Sequence, residues 1–150
     1  MEYAYPCSIV PDHDEKMTTG IDAWVVSFPD VYGANTGADT WDEAVALAED
    51  CLIMALGAYM RMKEDLPVPS PLAEGQVLVR LPVRVAAKLA LYMAMREESI
   101  SQTQLGVRLG IPQPEVHRML DLQYKSHVGK LEQALRALGR GLAVSTVELS

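Results

Sequence analysis

The chain has 150 residues, 49% of them hydrophobic, and a formal net charge of −7. That length allows one ordinary domain or two small ones, with apolar material enough for a core. No apolar run reaches the length of a membrane span and the N-terminus lacks a basic-then-apolar leader, so a membrane protein is excluded and a soluble cytoplasmic one is expected.

The charge is divided unevenly. Residues 1–75 hold 3 Lys and Arg against 14 Asp and Glu, a net of −11, whereas residues 76–150 hold 10 against 6, a net of +4. An acidic front half does not favour nucleic acid and a mildly basic back half does, so two surfaces with two kinds of partner are expected. Cys7 and Cys51 lie far apart, and without an extracellular signal they are not paired; Cys51, in an apolar helical run, is expected as a buried thiol.

Tyr3–Val10 carries Tyr, Ile and Val in loose alternation and is expected as a strand, with Pro6 favouring an edge or a bulge. Pro11–Ile21, polar and acidic with Gly20 near its end, is expected as a loop. Ala23–Phe28 is a strong strand by its β-branched and aromatic content, Pro29–Gly33 a turn, and Ala34–Ala38 a short third strand. Thr40 with Glu43 three residues on forms a capping box. It opens a helix from about Trp41 to Met62, where Ala44, Leu47/Ala48, Cys51/Leu52, Ala55/Leu56 and Tyr59 recur at three- and four-residue spacing. The three preceding strands are what this apolar face can cover. Asp42 and Glu43 in its first turn, and Arg61 and Lys63 at its end, suit the helix dipole.

Leu66–Gly75 contains Pro67, Pro69 and Pro71 and is expected as a stiff extended connector. Val77–Leu81 reads as a fourth strand. Pro82 and Val83 open a helix to about Glu98 with Val85, Ala86, Leu89 and Met93 on one face. Lys130–Leu138 is a further amphipathic helix with Leu131, Leu135 and Leu138 inward, ended by Gly139 and Gly141. Leu142–Leu149 alternates and is expected as a last strand, pairing between subunits.

Between these helices lies Ser101–Leu122, around which the chain is organised. Ser101 and Gln104 form a capping box. Leu105 and Leu109 share a face, and Gly106 between them lets a second helix approach closely. Gly110 supplies a turn with positive φ, and Ile111 enters the core. Pro112 and Pro114 fit only the first turn of a helix, so a second helix starts near Pro112, with Val116, Met119 and Leu120 buried. Leu105, Gly106, Leu109, Gly110, Ile111, Val116 and Met119 together fit a helix-turn-helix that reads DNA.

In that motif the second helix lies in the major groove. Gln113, which opens it, can bond bidentately to adenine; Arg118 can reach guanine or a phosphate, and His117 either. Pro114 and Asp121 lie on or near the same outer side. Gln102 and Thr103 are placed for phosphate contacts, which position but do not specify, and Lys125 can add another. Because +4 is modest, a two-fold dimer reading a palindrome is expected, with Lys130–Ser150 as the dimer contact.

The order βββα, proline-rich connector, strand, then helices resembles the HicB antitoxin family. The residues that carry this are Tyr5–Pro6, the run Trp24-Val-Val-Ser-Phe-Pro-Asp30, Gly33, Thr36–Gly37, Asp39-Thr40-Trp41-Asp42-Glu43-Ala44, the connector Leu66–Leu72 and the strand Val77–Pro82. The resemblance covers nearly the whole chain, although the acidic segment Pro11–Ile21 is longer than the family's turn. It implies an α+β protein with two domains. Residues 1–82 would be a βββα(β) partial RNase H-like domain, without nuclease activity, that binds and blocks a HicA-type mRNA-cleaving toxin. In that family the C-terminal domain is either helix-turn-helix or ribbon-helix-helix and binds the operator of its own operon; residues 83–150 would be the all-α helix-turn-helix type, repressing that operon, with the dimer expected above from its modest charge. Candidate toxin contacts are Trp24, Asp30, Tyr32 and Asp39.

The residues themselves give no enzyme. A nuclease of this fold needs carboxylates converging on a metal, and the strands Tyr3–Val10 and Ala23–Phe28 carry none. Asp12, Asp14 and Glu15 read as solvated charge, and His13 beside them lacks further ligands at metal spacing. No phosphate loop or nucleophile–base pair stands out, so no cofactor is expected. The alternatives are a helix-turn-helix regulator whose front domain binds a small molecule or an unrelated protein, an RNase H-type enzyme, and an adaptor whose helical hairpin binds no DNA.

Overall fold

Branched and aromatic residues concentrate in three short stretches of the first eighty positions, and these pair, together with the run Asn35–Ala38, into a sheet. In the computed structural model, which describes residues 2–19 and 23–149, the strands are β1 (Ala4–Pro11), β2 (Trp24–Ser27), β3 (Asn35–Ala38) and β4 (Val77–Arg80). They pair antiparallel in the order β3-β2-β1-β4. β1 serves its two neighbours in succession: Ala4–Cys7 faces Arg80–Val77 of β4, and Ser8–Pro11 faces Ser27–Trp24 of β2. Pro6 therefore stands in an internal strand rather than an edge one. It is tolerated because only β4 flanks that half of β1, so the missing N–H interrupts at most one ladder.

Helix α2 (Trp41–Arg61) lies on the sheet. Ala44, Ala48, Leu52 and Leu56 recur every fourth residue and are buried with Ile53, a period that stacks one face. Thr40 caps it, its hydroxyl accepting the Glu43 N–H at 3.1 Å. The capping box is only half made, since Glu43 Oε2 accepts from the N–H of Asp39, at 3.4 Å, instead of returning to Thr40. The connector after α2 is strapped to the sheet side of the chain. Leu66 is buried, Tyr5 O–H donates to the Pro67 carbonyl at 2.8 Å, and the Asp30 carboxylate accepts from Ser70 N–H and Oγ–H at 2.8 and 2.6 Å.

Two expectations are corrected. The segment expected as a loop at Pro11–Ile21 instead carries Pro11 in β1 and a helix α1 (His13–Thr19). The acidic first turn favours a helix N-terminus, but no apolar period announced it. Gly20 and Ile21 lie outside the described residues. Residues 142–149, expected as a strand, carry no regular structure. The elements around them are helices, which offer no strand edge to pair with.

The chain divides into two compact units, Met1–Pro82 and Val83–Ser150. The second is built from α3 (Val83–Glu97), α4 (Gln102–Leu109), α5 (Gln113–Leu120) and α6 (Val128–Ala137). One cluster joins them: Ala87, Leu91 and Met95 of α3, Leu105 of α4, Val116 and Met119 of α5, and Leu131 and Leu135 of α6. α3 is buried around most of its circumference rather than on the single face expected, with Lys88 inside. Among the described residues no helix is long and apolar enough to cross a membrane, and no group of three His, Cys, Asp or Glu could hold a metal.

Candidate functional site

The geometry of α4 and α5 is fixed at both ends by local chemistry. Ser101 and Gln104 complete a reciprocal capping box: Ser101 Oγ accepts the Gln104 N–H at 3.1 Å, and Gln104 Oε1 accepts the Ser101 N–H at 2.9 Å. Gly110 ends α4 at φ 67°, ψ 33°, a left-handed conformation that glycine adopts without a Cβ penalty. Gly106 lets the turn fold back. A Cβ there would stand 3.1 Å from the Ile111 carbonyl oxygen and 3.3 Å from Val116 Cγ2, and the Ile111 N–H donates to the Gly106 carbonyl at 3.0 Å. α5 opens on Pro112 with Pro114 in its first turn, where a missing N–H costs nothing. No side chain caps it. Burial of Val116 and Met119 and an external grip hold it instead.

That grip is Lys88, which the sequence reading did not single out. It is fully buried, and Nζ donates to three carbonyls at the end of α5 and just beyond it: Arg118 at 2.8 Å, Asp121 at 2.6 Å and Tyr124 at 2.6 Å. An ammonium has three protons, and each meets one acceptor. Burial pushes its pKa down from 10.5 to about 8, with the Asp121 carboxylate opposing and Arg84 adding to the fall. At neutral pH it is still charged. Its signal was available, as a lone cation inside the apolar stripe of α3, between Ala87 and Leu89.

The exposed side of this helix pair carries the residues expected to contact DNA. Gln102, Thr103, Gln113, Pro114, His117, Arg118, Asp121 and Lys125 are all exposed. The structure joins two of them: Gln113 Nε2 donates to Thr103 Oγ1 at 2.5 Å, linking the first turns of α4 and α5. Gln113 keeps its carbonyl and one amide proton for another partner. Arg118 Cζ lies 5.7 Å from the centre of the Tyr124 ring, a cation–π arrangement that limits its motion. Asp121 is turned to local work, its Oδ1 accepting the Gln123 N–H at 2.9 Å after the helix ends. Glu115 pairs with Lys130 of α6 at 3.1 Å.

In the first unit, Tyr32 is 91% exposed, and its N–H donates to Tyr59 Oη at 2.9 Å. Trp24 packs edge-on against Trp41, ring centres 5.3 Å apart. Asp39 is exposed, beside the start of α2, while Asp30 is engaged with Ser70. Both thiols are raised by burial, Cys7 to about 11, as suits inert cysteines.

Comparison with known proteins finds relatives that match the chain over most of its length. The model of a family described as HicB-like antitoxin of bacterial toxin–antitoxin systems matches residues 4–90. The chain is 35% identical over 136 residues to Antitoxin HicB 2 of Photorhabdus laumondii, covering 91% of this chain and 92% of that one. It is 31% identical over 143 residues to Antitoxin HicB of Escherichia coli K12, covering 95% and 99%. Antitoxin HicB of Pseudomonas fluorescens is 32% identical over 118 residues, covering 78% and 79%.

Proposed function

This chain belongs to the HicB-like antitoxin family, and on that premise we propose that it joins two activities in two units. The first unit, residues 1–82, is a partial RNase H-like domain that binds and blocks a HicA-type toxin, an mRNA-cleaving protein. The second, residues 83–150, is a helix-turn-helix domain that binds the operator of its own operon and represses it.

The observation that carries the DNA reading is the exposed row Gln113, His117 and Arg118 on α5, held against α4 by Gly106 and gripped from behind by Lys88. A short, well-anchored helix with amide and guanidinium groups outward is what the major groove accepts. Gln102 and Thr103 open α4 toward the phosphates, and two copies engage two half-sites. Residues 142–149, with Val144, Val147 and Leu149 exposed, supply contact between copies. For the toxin, the front half's net of −11 suits a basic RNA-binding surface, speeding encounter and setting orientation. Trp24, Tyr32 and Asp39 are the residues offered to it.

The test is a salt-dependent gel shift of the full chain on the DNA upstream of its gene, with Arg118→Ala beside it. Steep salt dependence and a weaker variant support the reading, whereas no shift at low salt overturns it. For the toxin arm, Tyr32→Ala is expected to weaken capture of the small basic protein encoded next to this gene; no capture by the wild type overturns that arm. A monomeric mass at micromolar concentration overturns the dimer.

A further inference from the structure

The loop from α5 to α6 closes a cleft of about 380 Å³ within the second unit. Arg118, Lys125, His127 and Lys130 line it, over Met119 and Tyr124. One carboxylate reaches it: Glu115, which holds Lys130 Nζ at 3.1 Å. Three permanent cations thus converge with a single anion, in a chain whose net charge is −7.

Three sequence choices beside the cleft oppose local helix rules. Lys130 stands in the first turn of α6, which has no acidic residue, although the positive end of the helix dipole disfavours a cation there. His127, at the N-cap, makes no side-chain hydrogen bond to that turn. Gly129 follows, and a Cβ built on it meets nothing within 4 Å, so neither packing nor a positive φ calls for glycine. Local violations of this kind collect at functional positions. An oxyanion in the cleft would resolve them together: it would lie among the Lys130 and Lys125 ammonium groups and the Arg118 guanidinium, beside the positive end of α6.

The loop is also preorganised. Lys88 holds the Tyr124 carbonyl at 2.6 Å from the core side, and the Lys88 and Arg118 cations lie 5.6 and 5.7 Å from the Tyr124 ring. The cleft walls need little ordering when a ligand arrives.

We propose that this cleft receives one phosphodiester of the DNA backbone, locking the register of α5 without reading sequence. The proposal rests on the DNA reading above and deepens it. Arg118 lies between the cleft and the outer face of α5, so the phosphate contact and the base contact share one guanidinium. Glu115 is the competitor, since Lys130 must leave it to meet the phosphate. Opposite signs follow: removing Lys125 or Lys130 weakens binding, and neutralising Glu115 strengthens it.

The experiment uses the full chain and its Lys125→Ala, Lys130→Ala and Glu115→Gln variants, each checked for unchanged thermal unfolding. Binding is measured against salt on two duplexes of equal length, the upstream DNA and a scrambled one. In parallel, inorganic phosphate is titrated while the Val128 and Gly129 amides are followed by NMR. The lysine variants are expected to flatten the slope of log K against log salt by about 1 each on both duplexes, leaving the preference between them unchanged. Glu115→Gln tightens both, and phosphate moves the two amides saturably in the wild type but not in Lys125→Ala. DNA binding with unaltered slopes in both lysine variants overturns the cleft and leaves the reading head standing. Phosphate shifts without DNA binding overturn both the reading head and the assignment of the cleft to DNA.

Discussion

Consider Lys88→Met. Methionine keeps most of the buried stem and removes the ammonium, so the substitution isolates the three hydrogen bonds to Arg118, Asp121 and Tyr124. Bonds from a charged donor contribute about 1.5–3 kcal/mol each, roughly 5–9 kcal/mol together. Against this stands the cost of burying the charge. The fall of the Lys88 pKa from 10.5 to about 8 corresponds to about 3 kcal/mol at 1.36 kcal/mol per unit. The three carbonyls keep weaker partners after the change, the N–H groups of Asp121, Tyr124 and Ser126 at 3.3, 3.1 and 3.0 Å. The net loss therefore lies at the lower end, about 2–3 kcal/mol. In a unit of this size each kcal/mol moves the midpoint by about 4–8 °C, so the melting temperature of the second unit should fall by roughly 10–20 °C. Far-ultraviolet circular dichroism on heating reads this directly. A midpoint within about 3 °C of the wild type would refute the idea that the ammonium holds α5. The pH dependence adds a second check. Because the folded-state pKa lies below that of the unfolded chain, the unfolded state binds more protons between pH 8 and 10.5. Wild-type stability should then rise relative to Lys88→Met across that window and stay level below it. A narrowing gap would show that the carbonyls outweigh desolvation.

Gly106→Ala should lose about 1–3 kcal/mol in urea unfolding, because its Cβ meets the Ile111 backbone oxygen at 3.1 Å and the turn must open to admit it. Unchanged stability would mean α4 and α5 are loosely packed. Arg118→Ala should cost about 1–3 kcal/mol of affinity for the upstream duplex, and less for a scrambled one if it reads a base. Cys7, its thiol pushed to about 11 by burial, should resist iodoacetamide at pH 8 in the native chain and react on denaturation, as mass spectrometry would show. Asp30→Ala should free Ser70 and make the connector a site of early proteolytic nicking; an unchanged digestion pattern would place its anchorage elsewhere.

The features legible in the sequence were those governed by neighbours within a few residues. Ala44, Ala48, Leu52 and Leu56 announced the buried face of α2 by their spacing, and Ser101 with Gln104 announced the start of α4. Gly106 and Gly110 were readable because close approach and positive φ each leave glycine as the residue that fits. What escaped depended on partners far along the chain. Nothing near Tyr3 or Val77 says that β4 returns to the first half of β1. α1 has no apolar face to register as a period, and residues 142–149 alternate without a strand to pair with. At the candidate site the outward residues of α5 could be named from its pattern. Lys88 was marked only as a lone cation in the apolar stripe of α3, and its role was hidden because its partners are backbone carbonyls, which no side-chain pattern records. The Glu115–Lys130 pair likewise spans two helices and a loop.

The way Lys88 holds α5 bears on how such a protein can diverge. Its acceptors are peptide oxygens, present whatever side chains the helix carries, and the inward anchors are Val116 and Met119, with Leu120 partly buried against the same cluster. Gln113, His117 and Arg118 stand outside the buried cluster, and what Gln113 and Arg118 add is one exposed hydrogen bond to Thr103 and one ring contact with Tyr124. A gene copy could therefore exchange those outward residues one at a time, passing through intermediates that all fold. On the DNA reading, duplicated operons in one genome could drift to separate operators and become mutually insulated, without first acquiring compensating changes in the core.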